Sequence, residues 1–154
     1  MRQPTIREAT SADLAGVLEL YRHLNPDDPC PDPAKAAAAW SALLRSDLTT
    51  VLVADVGGII ASTCTLAVIP NLTRGTRPYG VIENVVTDPE HRRHGLGRAV
   101  LEAALKAAWA ADCYKVMLAT GSQKPETLRF YEGAGFKRGG KTFFEARRAE
   151  GRFV

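Results

Sequence analysis

The sequence predicts one α/β domain, residues 1–154, in which helices cover both faces of a central sheet. Three observations carry this. Strand-like and helical apolar patterns alternate along 154 residues, with no internal repeat, low-complexity tract or linker. The run 59–69 carries apolar residues on both of its faces, as a strand between two helical layers does. Apolar residues make up 45% and charged residues 24%, the balance of a chain that buries a core.

The elements follow in order. Residues 5–9 read as a short strand. Thr10 and Asp13 resemble a capping box with Asp in the Glu position, and Leu14, Val17, Leu18, Tyr21 and Leu24 then recur at helical spacing. Pro26, Pro29 and Pro31 make 25–31 a loop. Asp32 as cap and Pro33 in the first turn start a second helix that buries Ala36, Trp40, Leu43 and Leu44. Residues 50–56 and 59–69, joined by Gly57-Gly58, form a hairpin. A loop over 70–79 leads into a strand over 80–87. A helix opens at Gly95 with the stripe Leu96, Val100, Ala103 and Ala107. A strand over 115–119, a short helix over 125–133 and a closing strand over 142–146 complete the pattern.

Charge and cysteine content exclude several classes. The net charge of +3 gathers at Arg92-Arg93-His94 and Arg147-Arg148, which suits two local anion sites and not the broad basic stripe of a nucleic-acid binder. Cys30, Cys64 and Cys113 are an odd number without tight spacing, so neither a disulfide framework nor a metal site follows. No apolar stretch approaches the ~20 residues of a spanning helix, and the first residues carry no signal core, so a cytoplasmic protein is expected.

The segment from Ile82 to Gly97 concentrates the chemistry. A strand empties into a basic loop, and Gly95 and Gly97 turn it into a helix whose first N–H groups can face an anion. Taken alone, such a turn fits close packing as well as it fits a pyrophosphate cradle. A dinucleotide fingerprint fails because Val100 stands where a third glycine belongs. Residues 135–142 match the P-loop pattern G-x-x-x-x-G-K-S/T. A P-loop follows a strand and opens a helix, whereas this match follows a helix and runs into a strand-like stretch.

Arg92-x-x-Gly95-x-Gly97 after a strand resembles the R/Q-x-x-G-x-G/A signature of the GNAT superfamily of acetyl-CoA-dependent N-acetyltransferases. Phe130-Tyr131-Glu132-Gly133-Ala134-Gly135-Phe136 is similar to that family's F/L-Y-x-x-x-G-F segment, and the element order agrees over nearly the whole chain. The resemblance implies a mixed, twisted sheet of about six to seven strands. It implies acetyl-CoA as cosubstrate, without a metal, and transfer of its acetyl group to an amine by direct attack. The backbone of Val85, Val86 and Thr87 would pair with the pantetheine arm. The N–H groups of Arg93, His94, Gly95, Leu96, Gly97 and Arg98, with Arg92 ahead of them, would hold the pyrophosphate. Tyr131 would be the general acid at the thioester sulfur. Where the family often carries Asn seven residues before that Tyr, this chain has Lys124.

Glu83 stands where the family often keeps a carboxylate facing the acceptor. Flanked by Val81, Ile82 and Val85, it is expected to be partly desolvated and to serve as general base, directly or through water. The alternative for Glu83 is an ordinary strand carboxylate, and for Tyr131 a core aromatic. The segments 82–86 and 113–118 are similar to glucosamine-6-phosphate N-acetyltransferases, although Asn84 replaces the usual Asp after the Glu. Asn84, Arg74 and Arg77 are therefore candidate substrate residues, with the two arginines suited to a phosphate or carboxylate. His91 and His94 read as solvated, and Cys113 has no histidine to activate it. The expected partner is a small-molecule amine such as an amino sugar phosphate, without nucleic acid or membrane, and a homodimer stays open. The competing function is an acyl-CoA-binding sensor without turnover.

Overall fold

A computed structural model of the chain describes residues 2–148. It divides into two compact units, Met1–Leu118 and Ala119–Val154.

The first unit is built on a five-stranded mixed sheet in the order β1-β2-β3-β4-β5: β1 (Thr5–Glu8), β2 (Thr49–Val56), β3 (Ile59–Ile69), β4 (Tyr79–Thr87) and β5 (Val116–Met117). The first four are successively antiparallel, and β4 pairs with β5 in parallel. Gly57 (φ 63°) and Gly58 (φ 94°) supply the two left-handed positions that a tight right-twisted hairpin needs between β2 and β3.

Two helices pack on one face of the sheet, α1 (Leu14–Leu24) and α2 (Pro33–Arg45). Asp13 accepts from the Thr10 backbone N–H at 2.7 Å ahead of α1, and Asp32 caps α2 by accepting from the Lys35 N–H at 3.0 Å. Val17, Leu20 and Trp40 form a core with Val51, Val53, Ile60 and Val86 of the sheet. Burying Val17 and Leu20 contributes roughly 1.5–3 kcal/mol each. Arg7 of β1 clamps Asp13 through both nitrogens (2.7 and 3.0 Å) and reaches Asp55 of β2 at 3.0 Å. A single turn, α3 (Thr73–Thr76), interrupts the loop expected between β3 and β4, and Arg74 and Gly75 in it have left-handed backbones.

On the other face lies α4 (Leu96–Ala110). Its buried residues are Leu96, Gly97, Val100, Leu101, Ala104 and Ala108. The expected stripe is thus right at Leu96 and Val100 and one residue early at Ala103 and Ala107. In a helix this rich in alanine, residue size does not distinguish the buried positions. The Cys64 thiol donates to the Val100 carbonyl at 3.5 Å, which seats α4 on β3.

The second unit contains α5 (Pro125–Gly133). Residues 142–148 form no strand, so the closing strand expected over 142–146 is absent, and among the described residues the sheet has five strands where six to seven were expected. Strand propensity is realised only in a ladder. Thr142, Phe143 and Phe144 have the composition without one, leaving the two rings 67% and 87% exposed. The strand expected over 115–119 shortens to Val116–Met117. No helix among the described residues is long and apolar enough to cross a membrane.

Candidate active site

The site begins where the β4 ladder changes. Thr63 pairs with Val86 and Thr65 with Glu83, so Asn84 and Val85 together oppose the one residue Cys64. This is a β-bulge, and Asn84 takes it up at φ 56°. Asn tolerates that left-handed region better than most non-glycine residues. On its other side β4 pairs with β5 only at Gly80–Val116 and Val81–Met117. From Ile82 to Thr87 that edge has no neighbouring strand among the described residues of the first unit. Its outward N–H and C=O groups are a template for an extended ligand. The Ser62 hydroxyl reaches the Val86 carbonyl (3.2 Å) and Thr87 Oγ1 (2.8 Å), so the end of β4 stays fixed on its β3 side.

The chain then turns into α4. Arg92 folds back, donating from Nε to the Thr87 carbonyl at 3.4 Å. Arg93 (φ 64°) and Gly95 (φ 76°) are both left-handed, and Gly95 is the N-cap of α4. Open space lies where a Gly95 side chain would stand. The first intrahelical bond runs from Ala99 N–H to the Gly95 carbonyl at 3.0 Å, so the amides of Leu96, Gly97 and Arg98 precede the ladder. No acidic residue occupies the first turn. Three outward amides, the positive end of a 15-residue helix and Arg92, Arg93 and Arg98 make this an anion cradle of the kind a pyrophosphate needs. Val85 to Thr87 and Arg92 to Arg98 thus form one continuous path.

Glu83 is exposed, which corrects the expected desolvation. In a strand its neighbours Ile82 and Glu83 point to opposite faces, and only Ile82 enters the core, at 1% exposure. Arg74 lies over the Tyr114 ring, 5.6 Å from its centroid, and Arg77 pairs with Asp112 at 3.1 Å. Lys115, which the sequence did not single out, stands 5.4 and 5.6 Å from the ring centroids of Tyr114 and Tyr79. No composition or spacing marks it, because the rings that hold it come from separate elements.

His91 is half-buried rather than solvated, with Nδ1 3.7 Å from Asp88 Oδ2. Among the described residues no group of His, Cys, Asp or Glu could hold a metal ion. Burial pushes the Cys64 thiol up to about 12 and raises that of Cys113. Neither is a nucleophile near neutral pH.

In the second unit Tyr131 lies on α5, its ring 5.0 Å from that of Phe130 and edge-on to Phe136 at 6.4 Å. The N–H of Phe136 donates to the Tyr131 carbonyl at 3.2 Å, closing the helix end. Lys124 is the N-cap of α5, and its side chain makes no capping hydrogen bond. Among the described residues no helix follows Lys141, so the P-loop-like string is not built as a P-loop.

Residues 17–136 match the acetyltransferase (GNAT) family. The chain is 33% identical over 132 residues to a glucosamine 6-phosphate N-acetyltransferase of Trypanosoma brucei brucei, covering 86% of this chain and 88% of that protein. A glucosamine 6-phosphate N-acetyltransferase of Oryza sativa subsp. japonica is 31% identical, over 85% and 79% of the two chains. Among solved structures, a putative acetyltransferase from Agrobacterium tumefaciens superposes with a TM-score of 0.89 at 45% identity, over 94% of this chain and 99% of the other. The chain therefore belongs to the GNAT family and is an acyltransferase with acetyl-CoA as its cosubstrate.

Proposed function

We propose that residues 1–154 act as one N-acetyltransferase domain that acetylates the amine of an amino sugar phosphate, glucosamine 6-phosphate first among the candidates. The observation that carries the site is the bulged, unpaired edge of β4 leading into the uncapped N-terminus of α4. The relatives named above support the acceptor.

The free edge at Val85, Val86 and Thr87 holds the pantetheine arm by backbone pairing, and the amides from Arg93 to Arg98 hold the pyrophosphate. Acetyl-CoA supplies an activated acetyl thioester. Glu83, exposed and one residue before the bulge, takes a proton from the acceptor ammonium, directly or through water, so that nitrogen attacks as a neutral amine. A backbone N–H near Val86 meets the charge that develops on the carbonyl oxygen. Tyr131, placed by its motif, protonates the departing thiolate. Holding both substrates together supplies much of the rate, and no covalent intermediate on the protein is required. The cations of Arg74 and Lys115 around Tyr79 and Tyr114 support a phosphate at the far end of the acceptor, whereas Arg77 is already paired with Asp112.

The test is thiol release from acetyl-CoA across a panel of amino sugars, amino acids, polyamines and peptides. Glucosamine 6-phosphate is expected to have the highest kcat/KM. Acetyl-CoA binding without thiol release for any amine would instead establish a sensor.

A further inference from the structure

Three polar side chains outside the cradle converge on the face of the sheet that carries Glu83. Thr65 is the direct cross-strand partner of Glu83, so the two side chains stand on the same face. Thr65 also pairs with Val51, whose side chain belongs to the core beneath α1 and α2. Thr65 Oγ1 is buried and makes no hydrogen bond. Tyr21 of α1 is a partly buried residue packed on that same core, with Thr65 and Asn84 as polar neighbours of its phenol. Burial raises the Tyr21 phenol above its ordinary value, and the adjacent side chains of Thr65 and Asn84 offset part of that. Thr65 thus stands beside the phenol without the geometry of a hydrogen bond.

A buried hydroxyl without a partner destabilises the fold, and valine would fill the same shape without that cost. The phenol has one hydrogen to give and lone pairs to accept with. When an acceptor binds, a small shift of the phenol with its hydrogen turned to Thr65 Oγ1 gives the orphaned oxygen a donor and leaves the phenol oxygen outward as an acceptor, beside Asn84 and Glu83.

We propose that Tyr21 binds the acceptor: its phenol oxygen accepts a hydrogen bond from the acceptor amine beside Glu83, while its own hydrogen is given to Thr65. Thr65 is then a positioning residue that orients the phenol. This rests on the acetyl transfer proposed above and adds to it the residue that seats the amine.

The test is steady-state kinetics with the best acceptor of the amine panel, together with calorimetric acetyl-CoA affinity, for Tyr21→Phe, Thr65→Val, Thr65→Ser and the Tyr21→Phe/Thr65→Val pair. Tyr21→Phe is expected to raise the acceptor KM about tenfold while acetyl-CoA affinity stays within about twofold of wild type. Thr65→Val should raise the acceptor KM by about threefold and also raise Tm, and Thr65→Ser should stay near wild type in KM. The double variant should be no worse than Tyr21→Phe alone, because both remove one hydrogen-bonded unit. An acceptor KM within about twofold of wild type in Tyr21→Phe, additive losses, or an equal loss of acetyl-CoA affinity would overturn the inference. If Tyr21→Phe does not fold, the contrast between Thr65→Val and Thr65→Ser decides. A wild type that acetylates no amine removes the proposed function and this inference together, whereas turnover with unaffected variants removes only this inference.

Discussion

The two ends of the sheet are built on opposite plans. At the β1–β2–β3 end the ladders are long, with one register shift at Ala54–Asp55, and Arg7 ties a strand, the start of a helix and the neighbouring strand together through Asp13 and Asp55. At the β4–β5 end the ladder stops after two residue pairs, a bulge holds Asn84 in a left-handed conformation, and six residues of edge face no strand among the described residues of the first unit. The first end pairs its charges internally around Arg7. The second leaves backbone groups, helix amides and Glu83 unsatisfied side by side. Stability and chemistry are separated along one sheet, and a change at one end should leave the other largely intact.

The largest expected effect lies at the open end. Glu83→Gln should lower kcat by ~10²–10⁴ near neutral pH, where most acceptor amine is protonated, and recover part of the rate as pH rises and free amine accumulates. Acetyl-CoA affinity should not change. A kcat/KM equal to wild type from pH 6 to 9 would return Glu83 to an ordinary exposed carboxylate.

Next is a break at the closed end. The hydrogen bonds from Arg7 hold the Asp13 carboxyl down to about 2 against an ordinary 3.8, and Asp13 is only 7% exposed. A carboxylate depressed in the folded state contributes stability that is complete above its unfolded value and is lost as pH falls through the folded one. Asp13→Asn should therefore cost roughly 2 kcal/mol at pH 7 and flatten the acid dependence of stability between about pH 4 and 2. Under conditions where the variant is folded, kcat/KM should be unchanged. Urea denaturation across pH, beside an activity assay, checks both halves.

A smaller effect is expected at the cradle. Gly95→Asp places a β-carbon at φ 76° and a negative charge at the positive end of α4. It should weaken acetyl-CoA binding about tenfold, and more at low salt than at high salt. Calorimetry at two ionic strengths measures it.

The contrast between the two ends also explains what was legible in the sequence. Helices α1, α2 and α5 were readable within a residue or two because capping residues and prolines mark their starts. The hairpin was readable from Gly57-Gly58, and the cradle from Arg92 to Gly97. Strand partners were not readable: Thr142–Phe144 has strand composition but makes no ladder. The bulge was hidden because a polar residue such as Asn84 between Ile82 and Val86 does not by itself mark a change of register, and its left-handed φ is a property of pairing. Tyr21 appeared as one apolar position of a helical stripe. Only the register that sets Thr65 opposite Glu83 gives it a polar neighbourhood.

The central claim is that the free edge of β4 is where the pantetheine arm of acetyl-CoA lies, and backbone hydrogen exchange tests it most directly. In the free protein, the outward amides between Asn84 and Thr87 should exchange fast, while those of the β2–β3 ladder stay protected. Saturating acetyl-CoA should slow the β4 amides together with those of Leu96, Gly97 and Arg98, and leave the β1–β2–β3 end unchanged. Bound acetyl-CoA that protects the α4 amides but leaves β4 exchanging at its free rate would contradict the account, because the arm would then run somewhere other than that edge.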